Sequence, residues 1–263
     1  MLNWYPREDA RPLRVAVLCS HRAPGLLQLL RDPRRGALFE VVACVSSEHD
    51  FSDREAISNE GVPTFVHDIR DFYRSWNAHR TDVQLRKNYD ATIVQRLATY
   101  DADVVILCSY LYIATSVLLS AYPNRIMNLH HSDLPKYPGL QAVRAAILAG
   151  ERETRATVHI VTEQVDAGPA IVRSWPFPVH PMVEDLRKWN ATRTLNAYVF
   201  AHQEWMIESA WGPLMTAAIE LLARGELQTW DGEVLISGGT EPLELEPAGR
   251  SLRSLRPIQV LPR

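Results

Sequence analysis

Little in this sequence commits it to a specialised class. Cysteine is scarce, three in 263 residues. Cys19, Cys44 and Cys108 each fall in or beside an apolar run, which argues against a disulfide scaffold or a metal centre and suits small buried thiols. No uninterrupted apolar run approaches the ~18 residues of a membrane span, and Met1 to Pro12 lacks the apolar core of a signal peptide. An excess of cations is missing too. A formal net charge of −3 with 22% charged residues leaves no basic stripe for a nucleic-acid backbone. No G-x-G-x-x-G or Walker-type loop follows the first apolar run, and no repeat or low-complexity tract is present. These absences predict a cytoplasmic protein acting on small molecules, without nucleic acid, membrane or metal.

What is there is a large apolar complement, 46% of residues, enough for one sizeable core with an appendage. Leu13–Cys19 and Phe39–Cys44 are short β-branched runs with a helix-compatible segment, Ala23–Leu30, between them. The alternation continues through a helix at Phe51–Asn59, a strand at Thr64–Val66, a long helix at Arg80–Thr99 and a buried strand at Asp103–Cys108. A helix at Tyr112–Leu119 and a strand at Arg125–Leu129 follow. Next come a helix at Leu140–Leu148 stopped by Gly150, and strands at Ala156–Val161 and Ala170–Trp175. From Glu184 to Arg224 the pattern is helical and aromatic-rich, with a break expected at Gly212-Pro213. A hairpin at Thr229–Val234 turns on Asp231-Gly232, suited to type I′, and Pro242–Arg263 reads as an irregular tail. The predicted fold is α/β and Rossmann-like: a mostly parallel central sheet flanked by helices, with a C-terminal helical extension and hairpin. Residues 1–12 form an N-terminal extension, 13–183 the main domain, and 184–263 the helices, hairpin and tail packed on it.

Chemistry concentrates after the strand ending near Leu129. Asn128-Leu129-His130-His131-Ser132-Asp133-Leu134-Pro135 begins at a sheet edge where ligands usually bind, with Asn128 and His130 on one side. An amide donor beside an imidazole can stabilise an oxyanion and relay a proton. Asp166, in a glycine-containing loop between two strands able to return to the same edge, is the candidate carboxylate to hold that imidazole. Spacing alone equally allows two satisfied loop histidines and a turn aspartate.

Two motifs separate those readings. N-x-H-x-S-x-L-P-x-x-x-G (Asn128, His130, Ser132, Leu134, Pro135, Gly139) is followed by T-V-H-x-V-x-x-x-x-D-x-G-P (Thr157, Val158, His159, Val161, Asp166, Gly168, Pro169). Together they resemble the folate-dependent formyltransferase family, above all its glycinamide ribonucleotide formyltransferases. Arg86-x-x-Tyr89-Asp90 and the run Ala102–Leu107 extend the likeness, which covers roughly Leu13 to Leu221. The resemblance implies a formyltransferase fold, 10-formyltetrahydrofolate as donor, and Asn128, His130 and Asp166 as the catalytic residues. It also implies that Arg86 meets the folate's glutamate tail, and that the pterin lies against backbone of Tyr110, Leu111, Tyr112 and Ala114 and of Thr162 and Val165.

The resemblance breaks on the acceptor side. The family's phosphate-binding G-x-G-S-N loop reads Ser20-His21-Arg22-Ala23-Pro24-Gly25, where Pro24 removes a donor amide and only the His21 and Arg22 side chains could hold an anion. The family's E-H acceptor pair reads Ala201-His202, and Tyr112 replaces an arginine. The doubled histidine, His130-His131-Ser132, resembles instead formyltetrahydrofolate deformylases. His21, Arg22, His131, Ser132 and His202 are therefore the candidate substrate-binding residues. The reading is formyl transfer to a small amine other than glycinamide ribonucleotide, with hydrolysis of 10-formyltetrahydrofolate and a non-catalytic folate-binding module as alternatives. Trp189, Trp205 and Trp211 could serve the acceptor pocket, a homodimer surface or the core.

Overall fold

The computed structural model describes residues 2–3, 11–230 and 233–247. The expected Asp231-Gly232 turn and the tail beyond residue 247 lie outside them. The chain opens with β1 (Leu2–Asn3), β2 (Leu13–Cys19), α1 (Leu26–Leu30), β3 (Phe39–Ser46), α2 (Arg54–Asn59), β4 (Thr64–Val66) and α3 (Ile69–Ser75). It continues through α4 (Val83–Ala98), β5 (Val104–Leu107), α5 (Ser116–Ala121), β6 (Ile126–His130), α6 (Ala142–Ala149), β7 (Glu153–Thr154) and β8 (Thr157–Ile160). Last come β9 (Ala170–Arg173), β10 (Phe177–Pro178), α7 (Met182–Lys188), α8 (Thr192–Ala223), β11 (Leu227–Trp230), β12 (Glu233–Ile236) and β13 (Leu243–Glu244).

Eight strands form the main sheet in the order β13-β9-β8-β6-β5-β2-β3-β4. Every neighbouring pair is parallel except the two made by β8, which runs antiparallel between β6 and β9. Parallel strands buried on both faces require near-continuous apolar runs, and all four residues of β5 are buried. Successive residues of β2 divide between two cores, Val15 and Val17 packing on the α1 and α8 side and Ala16 and Leu18 on the α4 and α5 side. That is the two-residue period of a strand expressed as layers. β2 and β5 lie side by side while their successors run to opposite flanks, so the sheet has its topological switch point between Cys19 and Leu107.

Four differences from the sequence reading have local causes. α3 was not anticipated, although Asp68 is its N-cap and accepts from the amides of Arg70 and Asp71. The helix expected from Tyr112 starts only at Ser116, because residues 109–115 form an irregular strip in which Ser109 has φ 53° and the Thr115 amide donates to Asp90. The tail is not wholly irregular, since β13 adds a parallel strand beside β9. The break expected at Gly212-Pro213 is absent: α8 runs unbroken for 32 residues through Pro213. Gly212 serves close packing instead. A Cβ there would lie 2.0 Å from Gln28 Oε1, and one on Gly25, at φ 80°, would lie 2.6 Å from the Gly212 nitrogen. Glycine on both elements lets α1 and α8 touch backbone to backbone.

Candidate functional site

A cavity of about 480 Å³ opens at the switch point, walled by the loop after β2, the strip after β5, β6 with its following loop, the β8–β9 loop and one face of α8. Asn128 and His130 reach it from alternate positions of β6. Asp166 arrives on the loop between β8 and β9. The β8–β9 loop leaves the sheet beside Ile126, to whose carbonyl Val161 donates, and folds back until Asp166 is level with Asn128. Gly168 permits this fold, because a Cβ there would sit 1.8 Å from the Ile160 carbonyl oxygen. Asp166 itself adopts φ 51°, a conformation aspartate tolerates better than most residues.

The three side chains meet. Asp166 Oδ2 accepts from the Gly139 amide at 2.8 Å and lies 3.5 Å from His130 Nδ1, while its Oδ1 lies 3.5 Å from Asn128 Nδ2. His159, present in the sequence motif but not singled out there, completes the group. Its Nε2 is 3.1 Å from Asn128 Nδ2 and its Nδ1 is 3.0 Å from the Ile160 carbonyl. A ring that donates from Nδ1 to that carbonyl keeps a lone pair at Nε2, which accepts one amide hydrogen of Asn128. The 3.5 Å contact to Asp166 is too long to hold the second firmly, so the amide keeps a hydrogen to offer the cavity. Burial works against ionisation of Asp166, but the neighbouring His159 ring, 3.5 Å away, the adjoining His130 ring and the Gly139 amide outweigh it and bring the carboxyl down to about 2. It is a fixed anion at any working pH.

His130 is 7% exposed. Burial pushes its pKa below the ordinary imidazole range, with Asp166 and the Tyr137 carbonyl pulling the other way. Its Nε2 is 3.2 Å from the Tyr137 oxygen, so both nitrogens face acceptors. The ring rests neutral and, on taking a proton, becomes an imidazolium with a partner at each end. His131 is neutral more firmly, burial and the neighbouring His130 bringing it down to about 3.

The other anticipated residues divide. Tyr110, Leu111, Tyr112, Ala114, Thr162 and Val165 line the cavity, as do His21, Arg22 and His131. Arg86 does not. Its guanidinium pairs with Asp90 and donates to the Ile113 carbonyl at 2.8 Å and the Tyr110 hydroxyl at 3.3 Å, which holds the 110–114 strip in place. Ser132 stands behind the site, its hydroxyl closing the following loop on the Lys136 carbonyl at 2.7 Å. His202 faces away and bonds Thr154 Oγ1 at 2.7 Å. Its neighbour Gln203 lines the cavity, with Ile207 and Trp211 one and two turns on. That stripe was legible at i, i+4 and i+8 only in an unbroken helix. Tyr112 bonds through its hydroxyl to buried Glu48, which Arg70 neutralises. Among the described residues two groups have metal-ligand proximity, His21 with Glu48 and Asp50, and His49 with Asp68 and Asp71. Protein partners already engage both: His21 bonds Asp50, Arg70 bonds Glu48, and His49 bonds Asp71.

The arrangement can present a hydrogen-bond donor to a developing oxyanion, accept a proton on a neutral imidazole, and stabilise the resulting cation. Comparison with known proteins points the same way. Residues 13–200 match the family model described as formyl transferase. A trifunctional purine biosynthetic protein adenosine-3 from Drosophila melanogaster is 32% identical over 174 residues, 65% of this chain and 12% of that protein. A formyltetrahydrofolate deformylase from Bacillus subtilis is 30% identical over 196 residues, 74% of this chain and 61% of that one. The chain thus spans less than two thirds of either relative. The crystal structure of glycinamide ribonucleotide transformylase 1 from Symbiobacterium toebii superposes with a TM-score of 0.64 at 31% identity, covering 87% of this chain and 95% of that one.

Proposed function

This chain belongs to the formyl transferase family, and from that premise we propose that it transfers a formyl group from 10-formyltetrahydrofolate to a small amine other than glycinamide ribonucleotide. The observation that carries this reading is the meeting of Asn128, His130 and Asp166 in one cavity, each within 3.5 Å of another member through Asp166. The folate supplies a formyl carbon already bonded to nitrogen. The strip from Tyr110 to Ala114 and the segment from Thr162 to Val165 form the wall against which its ring system would lie. Asn128 offers its free amide hydrogen to the formyl oxygen as negative charge grows there, a contribution of roughly 10²-fold or more. His130 accepts the proton that the attacking amine must lose and returns it to the folate nitrogen as that nitrogen's bond to the formyl carbon breaks, while Asp166 fixes the ring and balances its charge. The walls hold the amine against the carbon, which removes much of the entropic barrier to a two-substrate reaction.

A second reading is hydrolysis of 10-formyltetrahydrofolate, with water in place of the amine. It is favoured by His131, which follows His130 as in the deformylase motif and lines the same cavity. Incubation with 10-formyltetrahydrofolate, with and without a panel of amines, separates the two by tetrahydrofolate release. Transfer predicts release that requires an amine, and hydrolysis predicts it without one. If Asn128→Ala retained full activity, both readings would fail.

A further inference from the structure

Resting on the reading of the cavity as a formyl-transfer site, we propose that the acceptor amine carries no phosphate or comparable anionic group, and that Glu204 and Asp53 set this preference. The loop after β2 has the raw materials of an anion site in His21, Arg22 and the turn into α1. Each is already engaged by a carboxylate of the protein itself.

Arg22 reaches the cavity from this loop, yet its two terminal nitrogens donate to the two oxygens of Glu204 at 2.7 and 2.6 Å. Such a paired fork is the geometry in which a guanidinium recognises a carboxylate or phosphate, so the phosphate's place on Arg22 is taken. The Ala23 amide, which could have joined an anion nest, donates to Asp53 Oδ2 at 2.8 Å. Pro24 has no amide hydrogen, and the Leu26 amide turns back to the Ala23 carbonyl at 3.1 Å. His21 Nδ1 is 2.8 Å from Asp50 Oδ1. Even with His21 protonated, two cations face three carboxylates across this loop.

An incoming phosphate would therefore meet like charge and would have to unseat a bidentate ion pair before pairing with Arg22. Specificity set by a repulsive arrangement works in this way. The facing wall completes the selection. Gln203, Ile207 and Trp211 offer one amide and two apolar surfaces from a single stripe of α8, suited to a neutral or cationic organic amine.

Titration of the intact protein with inorganic phosphate by calorimetry tests the inference. The wild type is expected to show no saturable binding at micromolar phosphate, whereas Glu204→Gln/Asp53→Asn, which keeps the hydrogen-bonding shapes but removes two charges, should bind phosphate at least tenfold more tightly. Saturable micromolar binding by the wild type, or equal affinity of wild type and a folded double variant, overturns it. Circular-dichroism melting establishes that the variant is folded, and the wild-type titration decides the question should it not be. A parallel titration with tetrahydrofolate keeps the failures apart. Absent folate binding sinks the formyl-transfer reading, while phosphate binding beside intact folate binding sinks only the acceptor assignment.

Discussion

Asn128 and His159 stand opposite one another across the antiparallel β6–β8 pair, and the carboxamide nitrogen of the first lies 3.1 Å from Nε2 of the second. The ring thereby fixes which way the amide points. In the proposed transfer its part is to position Asn128.

That position makes His159 a test of orientation rather than of chemistry. His159→Leu should lower kcat roughly tenfold or more with little change in KM for the folate, since the amide loses its anchor while the donor wall is untouched. His159→Gln, which still offers an acceptor, should recover part of the loss. Equal damage from both replacements would count against a positioning role.

The acid limb of the rate profile should belong to His130. Burial lowers its pKa in the fold, and the neutral ring is the form that accepts a proton. Activity is therefore full above the folded value and lost as pH falls through it, which places the limb below the ordinary imidazole pKa of about 6.5. A kcat/KM profile with its acid limb above that value would contradict the assignment.

His131 predicts a stability effect at mildly acid pH. The unfolded ring titrates near its ordinary value, whereas burial in the fold brings it down to about 3. Between the two the unfolded chain binds the extra proton. The stability contributed by the neutral buried ring is complete above the unfolded value and is lost as pH falls toward the folded one. Urea denaturation of His131→Phe should show a pH slope shallower than wild type by up to roughly 1.4 kcal/mol per pH unit in that window. Identical slopes would refute it.

Gly168→Ala should both destabilise the protein and slow the reaction. The new methyl would lie 1.8 Å from the Ile160 carbonyl oxygen, so the loop must retreat and take Asp166 with it. Overpacking of this kind costs on the order of 1–3 kcal/mol. Urea denaturation and tetrahydrofolate release measured on the same preparation check both halves, and a fully active, fully stable variant would show that the loop has freedom to spare.

The sheet was legible because it is written locally. Leu13–Cys19 and Thr64–Val66 form strands over the residues their composition marks, and Gly150 ends α6 in the left-handed conformation its identity implies. The Asn128, His130 and Asp166 group was legible through motif rather than geometry, since the loop bearing Asp166 leaves the sheet beside the start of β6, at the end away from His130. Long-range contacts were hidden. Nothing beside Arg22 announces that Glu204, 182 positions away, will occupy its guanidinium. His202 was singled out by its match to the family's E-H pair, which does not reveal which face of the helix turns to the cavity, and a proline at 213 suggested an interruption that the unbroken helix does not show.

In the proposed transfer the unbroken run of α8 sets the acceptor wall apart from the donor side. Donor chemistry is held on sheet residues and their loops, whereas the opposite wall is one rigid rod presenting Gln203, Ile207 and Trp211 a turn apart. A chain built this way can change its customer without retooling. Replacing a few side chains on a single helix face would redraw the chamber for a different amine while Asn128, His130 and Asp166 stay in register, which makes that face the natural place to begin redesigning the protein.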